Sequence, residues 1–108
     1  MKRAEVYVHD RLAGVLTEGE DGFRFVYDVV YLRSDSPEAV SLTLPLQEEA
    51  FESRTMFPFF DGLIPEGWLL DVAQRNWKLN PRDRMELLLH TCQDCIGAVS
   101  IVKAKSHD

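Results

Sequence analysis

Three short runs of β-forming residues, separated by residues that favour turns, constrain the fold of this chain more than any other feature. The runs are rich in β-branched and aromatic residues and occupy residues 4–8, 12–17 and 23–31. His9, Asp10 and Arg11 separate the first two runs, and the sequence EGEDG separates the second from the third. Because Asp and Gly adopt turn conformations readily, we expect a three-stranded antiparallel meander over residues 4–31.

The segment after the meander is more polar and carries weaker signals. Residues 33–40 contain Pro37 and predict a loop or one short helical turn, and residues 41–45 alternate briefly before Pro45. Residues 46–55 are expected to be exposed because charged residues recur among them, namely Glu48, Glu49, Glu52 and Arg54. The sequence MFPFF at residues 56–60 is the densest apolar cluster, and we expect part of it to lie in the core.

Two helices and a final strand are predicted in the last third of the chain. Pro65 and Glu66 suit the first turn of a helix that runs to about Trp77. Asn80 and Pro81 indicate the start of a second helix, with Asp83 in its first turn. Its apolar residues recur at helical spacing: Met85, Leu88, Leu89 and Cys92.

The sequence GAVSIV at residues 97–102 predicts a C-terminal strand, and residues 103–108 are expected to form a flexible tail. The resulting fold class is α+β. A small antiparallel sheet, made of the N-terminal meander and the C-terminal strand, carries two or more helices packed on it. Residues 1–108 are expected to form a single domain.

Charge and missing motifs restrict the function. The formal net charge is −6, which argues against direct binding of nucleic acid because phosphate contacts need clustered Lys and Arg. Neither a G-x-G-x-x-G or Walker phosphate loop nor the His-Arg-Asp and Asp-Phe-Gly sequences of kinases is present. We therefore expect no enzyme activity and no cofactor, and an acidic chain of this kind suits a protein partner.

The N-terminus and the cysteines indicate the compartment. Lys2 and Arg3 precede only a short apolar run, which is unlike a signal peptide, and no stretch approaches about 20 apolar residues. We therefore expect a cytoplasmic protein with no membrane contact. Two cysteines without a secretory signal fit a reducing cytosol.

Cys92 and Cys95 form a Cys-x-x-Cys pair, and two interpretations of it remain open. In the first, the pair binds a metal with His90 as a third ligand, or acts as a redox pair. However, no second pair follows at a suitable spacing, and the pair follows a predicted helix C-terminus, which does not lower a thiol pKa. In the second, Cys92 packs in the core. We expect no metal site.

The two tryptophans occupy different positions on the predicted helix over residues 65–77. Trp77 falls on the apolar face with Leu69, Leu70 and Ala73, so we expect it in the core. Trp68 falls away from the centre of that face. It is either an exposed aromatic of the kind enriched at binding hot spots or a residue packed under residues 56–60.

Three segments in the middle and end of the chain resemble the N-terminal region of HipA-type kinases. They read SLTLPL at residues 41–46, FFDGLIPE at residues 59–66 and DCIGAV at residues 94–99. The family shows similar segments in the same order, and its N-terminal meander is similar too. The catalytic parts of such kinases lie in the longer region that follows. The family does not require a cysteine at Cys95, which favours the core interpretation of the pair.

A chain of this length is similar to HipS-type proteins of three-part HipBST toxin–antitoxin systems. The resemblance implies an antitoxin that binds and neutralises a HipT-type serine/threonine kinase in trans. It also implies a HipB-type helix-turn-helix protein in the same complex, through which DNA is reached only indirectly. An N-terminal fragment of one HipA-type kinase is the first alternative, and a small metal or thiol protein is the second.

The resemblance also suggests where the kinase is bound. We expect residues 59–71 to face it, with Trp68 as the anchor near the active site, where it could hinder ATP positioning or lobe closure. The expected contact residues are Phe59, Asp61, Leu63, Ile64, Glu66, Trp68 and Asp71. Blocking of ATP, separation of the lobes and occlusion of the substrate all remain open as mechanisms.

Overall fold

A five-stranded antiparallel sheet is the centre of the computed structural model, which describes residues 2–64, 83–91 and 99–104. The strands are β1 (Lys2–Val8), β2 (Arg11–Gly19), β3 (Gly22–Tyr27), β4 (Phe51–Ser53) and β5 (Val99–Lys103), in the spatial order β4-β3-β2-β1-β5. The described helices are α1 (Val29–Leu32), α2 (Pro58–Asp61) and α3 (Arg84–Thr91). The α+β fold class is confirmed, because the meander and the C-terminal strand share one sheet and short helices accompany it.

Both predicted turns close hairpins of the meander. His9 and Asp10 link β1 to β2 with φ values of 50° and 65°, as a tight two-residue hairpin loop requires. In the second turn Gly22 has a φ of 131° and starts β3. A Cβ there would lie 2.4 Å from the carbonyl oxygen of Ser53, so glycine allows β4 to approach β3.

One face of the sheet supplies much of the core, and aromatic rings pack on it. The ring of Phe25 lies 4.9 Å from that of Tyr27 and 5.4 Å from that of Phe60, measured between centroids. Met56 and Phe57 are also buried, which confirms that part of residues 56–60 belongs to the core. The other buried strand side chains are those of Ala4, Val6, Val8, Ala13, Leu16 and Ile101.

The meander ends earlier than its residue pattern predicts. Strand β3 stops at Tyr27, and the carboxylate of Asp28 accepts a hydrogen bond of 3.1 Å from the amide of Tyr31. Asp28 therefore caps α1, although Val29, Val30 and Tyr31 are β-forming residues. The prediction of a strand reaching Tyr31 was wrong because a local cap, together with burial of the Tyr31 ring, outweighs strand propensity.

Residues 41–45 form a turn, and residues 46–55 differ from expectation. Ser41 and Leu44 form only an isolated bridge across a turn, so residues 41–45 are not a strand. Phe51–Ser53 forms strand β4, although residues 46–55 were expected to be an exposed segment. Phe51 is partly buried, with its ring 6.4 Å from that of Phe25, and it pairs with Phe25 across the sheet. Pairing with the β3 edge, a contact distant in sequence, decides this strand.

Helix α3 is tied to the first strand by charged groups. Asp83 caps the helix, since its Oδ1 accepts from the amide of Glu86 at 3.2 Å and its carbonyl from that of Leu87 at 3.1 Å. Lys2 Nζ lies 2.5 Å from Asp83 Oδ2 and 3.4 Å from Glu86 Oε2. Of the predicted core positions, Met85, Leu88 and Leu89 are buried, and Leu87 joins them.

Several predictions fall on residues outside the described part of the chain. These are the helix over residues 65–77, the helix start at Asn80 and Pro81, and residues 105–108. The C-terminal strand is confirmed from Val99 onward, and it includes Lys103, which pairs with Ala4.

Candidate functional site

Helix α2 and the three residues that follow it form the described half of the predicted partner-binding surface. Pro58 occupies the first turn of α2, where its missing amide costs no hydrogen bond. Beyond the helix, the amides of Leu63 and Ile64 donate to the carbonyls of Phe60 and Asp61 at 3.1 and 3.2 Å. The segment is therefore one continuous run of hydrogen-bonded turns.

Burial divides the side chains of this segment into two groups. Phe60 and Ile64 lie in the core, whereas Phe59 and Leu63 are only partly buried against it. The Phe59 ring packs edge-on to that of Phe60 at 5.2 Å between centroids. Phe59 and Leu63 are thus the apolar side chains that this segment offers to a partner, whereas Ile64, also a predicted contact residue, is buried.

An ion pair joins this surface to helix α3. Arg84 Nε lies 3.1 Å from Asp61 Oδ1, and both side chains are about a third exposed, 35% and 39%. Asp61 Oδ1 itself is out of contact with solvent and accepts no hydrogen bond from the described residues. The contact is therefore an ion pair without hydrogen-bond geometry, and it holds α2 and α3 beside each other.

Three of the predicted contact residues, Glu66, Trp68 and Asp71, lie outside the described residues. The partner contact of the whole segment therefore stays a prediction. Cys92 and Cys95 also lie outside the described residues. Within residues 2–64, 83–91 and 99–104 no three or more His, Cys, Asp or Glu side chains are grouped so that they could hold a metal ion.

A second surface feature, which the sequence did not predict, is a loop held by two tyrosines. The hydroxyl of Tyr27 accepts a hydrogen bond of 3.0 Å from the amide of Val40 and donates one to the carbonyl of Leu44. Burial raises the pKa of this hydroxyl, although the hydrogen bond from Val40 acts in the opposite direction. The hydroxyl of Tyr31 bonds in the same way to the amide and carbonyl of Glu38, at 2.9 Å each.

The tip of this loop exposes a leucine. Residues 41–44, the Leu42 turn, are closed by a 3.1 Å hydrogen bond from the amide of Leu44 to the carbonyl of Ser41. Ser41 Oγ also accepts from the amide of Thr43 at 3.2 Å. The side chain of Leu42 is 101% exposed. The signal in the sequence for this loop is limited to Tyr27 and Tyr31, because a tyrosine among apolar residues needs a hydrogen-bond partner for its hydroxyl.

The face of the sheet away from the core carries charged residues in one row. Arg3 pairs with Thr17, Thr17 with Arg24, and Arg24 with Glu52. These residues line an open concavity on that face. Neither Arg3 nor Arg24 forms an ion pair within the part of the chain that the structure describes. No helix among the described residues is both long and apolar enough to cross a membrane.

Comparison with known proteins shows what this architecture is similar to. The family model for the HipA N-terminal domain matches residues 4–102. A solved structure, the N-terminal domain of HipA toxin, superimposes with a TM-score of 0.78 at 25% identity, covering 99% of this chain and 96% of that one.

Two relatives match in different ways. An uncharacterized protein of Haemophilus influenzae is 30% identical over 105 residues, which are 97% of this chain and 95% of the relative. A Sinorhizobium fredii protein named "Putative kinase Y4mE" is 29% identical over 98 residues, which are 90% of this chain but only 23% of the relative. This chain thus spans under a quarter of the length of Y4mE. With the family model matched over almost its whole length, the chain belongs to the HipA N-terminal domain family.

Proposed function

We propose that this protein is an antitoxin of the HipS type, which binds and neutralises a HipT-type serine/threonine kinase in trans. One observation carries the proposal. The same domain matches nearly all of a small Haemophilus influenzae protein and only 23% of Y4mE, a relative named as a kinase. The domain thus has relatives both as a small chain and as one part of a larger one. In its small form it is suited to supply its surface to a separate kinase.

The proposed complex also contains a HipB-type helix-turn-helix protein, through which the antitoxin reaches DNA. A chain with a net charge of −6 is poorly suited to contact phosphates directly. In this proposal the protein has no catalytic activity, needs no cofactor and acts in the cytoplasm.

Residues 59–71 form the proposed contact with the kinase. Phe59 and Leu63 are partly exposed on a segment that core residues hold in place, which limits the conformational entropy lost on binding. Trp68 is the proposed anchor, and Glu66 and Asp71 add negative charge beside it. Insertion of Trp68 near the active site of the kinase would hinder ATP positioning or lobe closure.

Co-expression with the product of the neighbouring reading frame tests the proposal, where that frame encodes a HipT-type kinase. We expect the two proteins to co-purify, and we expect ATP-dependent phosphorylation of the kinase substrate to fall when this protein is added. A kinase that neither binds this chain nor loses activity in its presence would contradict the antitoxin function. Varying ATP at fixed protein concentrations separates ATP blocking, which high ATP overcomes, from occlusion of the substrate.

The role of Trp68 has its own test. Trp68→Ala should weaken kinase binding and abolish rescue of growth, with Val30→Ala as a control because Val30 is 76% exposed on α1. Unchanged affinity together with full rescue would remove Trp68 from the interface while leaving the antitoxin function in place.

A second candidate is an N-terminal segment of a single HipA-type kinase, and the match to part of Y4mE favours it. The neighbouring reading frame distinguishes the two. A separate short kinase gene supports the antitoxin, whereas an in-frame continuation into a kinase supports the segment.

A further inference from the structure

The Leu42 turn has a shape that does not depend on a partner. Its backbone is closed by the hydrogen bond between Leu44 and Ser41, and the buried hydroxyl of Tyr27 holds the residues on both sides of its tip. Leu44 is buried in the core beneath the turn. The backbone of the turn is therefore held in place by contacts within the chain, and a preformed backbone loses little entropy on binding.

Among the residues that the structure describes, Leu42 makes no core contact. Its side chain is fully exposed, and it belongs neither to the core nor to the partly buried residues packed against the core. Leu46, two residues beyond the turn, is also 37% exposed. A single exposed leucine is common on protein surfaces. A leucine at the tip of a turn whose backbone is held by hydrogen bonds is placed to fill a pocket on a partner.

The sequence on both sides of the turn is acidic, which indicates the charge that a complementary surface needs. Residues 33–50 carry four carboxylates, Asp35, Glu38, Glu48 and Glu49, against one cation, Arg33, and all five side chains are exposed. Glu38 lies 3.4 Å from His9 Nε2, whereas Asp35, Glu48 and Glu49 form no ion pair among the described residues. A complementary surface is therefore apolar at its centre and rimmed by Lys or Arg.

We propose that the Leu42 turn is a second docking element, distinct from residues 59–71, that inserts Leu42 into an apolar pocket with a basic rim on the kinase partner. This inference rests on the proposed function. The match to Y4mE supports a kinase as the partner of the Leu42 turn. Most of Y4mE lies outside the shared domain, and that part can cover surfaces of the domain that are exposed in this chain. A second copy of this chain fits poorly, since its own Leu42 turn carries the same negative charge.

Affinity measurements with the full-length chain and the purified kinase test the proposal. Leu42→Asp should weaken kinase binding at least tenfold. Leu42→Met should keep most of the wild-type affinity, because Met fills a similar apolar volume. Val30→Asp is the matched control, since it places the same charge at another exposed apolar residue, and it should bind as the wild type does. Because Leu42 is outside the core, urea unfolding of Leu42→Asp should match the wild type.

Salt dependence gives a second readout. The affinity of the wild type should fall as ionic strength rises. The triple variant Asp35→Asn, Glu48→Gln, Glu49→Gln should show a smaller fall, because it lacks three exposed carboxylates of the acidic segment that contains the turn. An unchanged salt dependence in this variant would contradict the basic rim.

The outcomes separate this inference from the proposed function. If the wild type does not bind the kinase at all, both fail. If the wild type binds and Leu42→Asp binds equally well, or Val30→Asp is weakened to the same degree, only the Leu42 proposal fails. If Leu42→Asp instead dissolves a dimer of this chain in sedimentation experiments and leaves kinase affinity unchanged, the turn is a contact between copies and the proposal is overturned.

Discussion

The hydroxyl of Tyr27 donates a hydrogen bond to the carbonyl of Leu44, 17 residues further along the chain. The same hydroxyl accepts from the amide of Val40, so one core side chain at the end of β3 holds both ends of a surface turn. A residue buried for packing therefore also fixes the conformation of the loop that exposes Leu42. Core stability and the shape of this surface are coupled through a single oxygen atom.

Tyr27→Phe should lower the free energy of unfolding by about 1–3 kcal/mol, because the Val40 amide and the Leu44 carbonyl lose their partner in a buried site. The shift in the urea midpoint measures it. Tyr7→Phe is the matched control, since among the described residues the Tyr7 hydroxyl bonds only to the Glu5 carboxylate, 3.2 Å away at a partly exposed site. Its effect should stay within about 0.5 kcal/mol. Equal losses in the two variants would contradict the anchoring role of Tyr27.

The contact between Lys2 and Asp83 should make stability depend on pH at both extremes. Burial alone would raise the pKa of Asp83, but the hydrogen bonds from Lys2 and the Glu86 amide hold it below the ordinary value of 3.8. The stability that ionised Asp83 contributes is therefore fully present above pH 3.8. It is lost as the pH falls through the pKa of Asp83 in the folded protein, which lies below 3.8. The hydrogen bond to Asp83 raises the pKa of Lys2 above 10.5. The stability that charged Lys2 contributes is therefore fully present below pH 10.5 and is lost as the pH rises through the pKa of Lys2 in the folded protein.

Asp83→Asn isolates this charge effect, because Asn is also a good N-cap for α3. The variant should be less stable than the wild type by about 0.5–1 kcal/mol at neutral pH, since both side chains are about a third exposed, 36% and 30%. The difference should shrink below about pH 4. Urea unfolding at a series of pH values measures it, and a difference that stays constant into acid would rule out the ion pair as its source.

Gly22→Ala should destabilise the sheet by about 1–3 kcal/mol, because φ is 131° and a Cβ would meet the Ser53 carbonyl at 2.4 Å. Gly62→Ala is the control, since Gly62 has a φ of −69° and its closest contact would be 3.2 Å. Thermal unfolding of both variants makes the comparison. A Gly22→Ala protein as stable as Gly62→Ala would show that β4 can move away from β3 at little cost.

Asp61→Asn should change stability by less than about 1 kcal/mol, because the side chains of Asp61 and Arg84 are each about a third exposed, although Asp61 Oδ1 itself is buried. Phe60→Ala, in the same helix, should cost about 3–5 kcal/mol, since the Phe60 ring is fully buried against Phe25. Urea unfolding compares the two. If Asp61→Asn then weakens kinase binding while remaining folded, Asp61 acts at the interface, whereas a loss of stability comparable to Phe60→Ala would make its role structural.

Local signals in the sequence were sufficient where a few neighbouring residues decide the structure. His9 and Asp10 adopt positive φ in a two-residue turn, and the meander follows from alternating residues on each side of it. The core role of residues 56–60 follows from their density of apolar side chains. These features depend on short-range sterics and on burial, both of which the order of residues expresses directly.

The sequence by itself determined the fold class, the first hairpins and the family to which the chain belongs. The tertiary structure decided the rest, for a common physical reason. Phe51–Ser53 is a strand because β3 offers an unpaired edge, Lys2 and Asp83 meet across 81 positions, and Leu42 is exposed because Tyr27 holds the turn around it. Each of these results from contacts between residues far apart in the chain, whose free energy exists only after the sheet has formed.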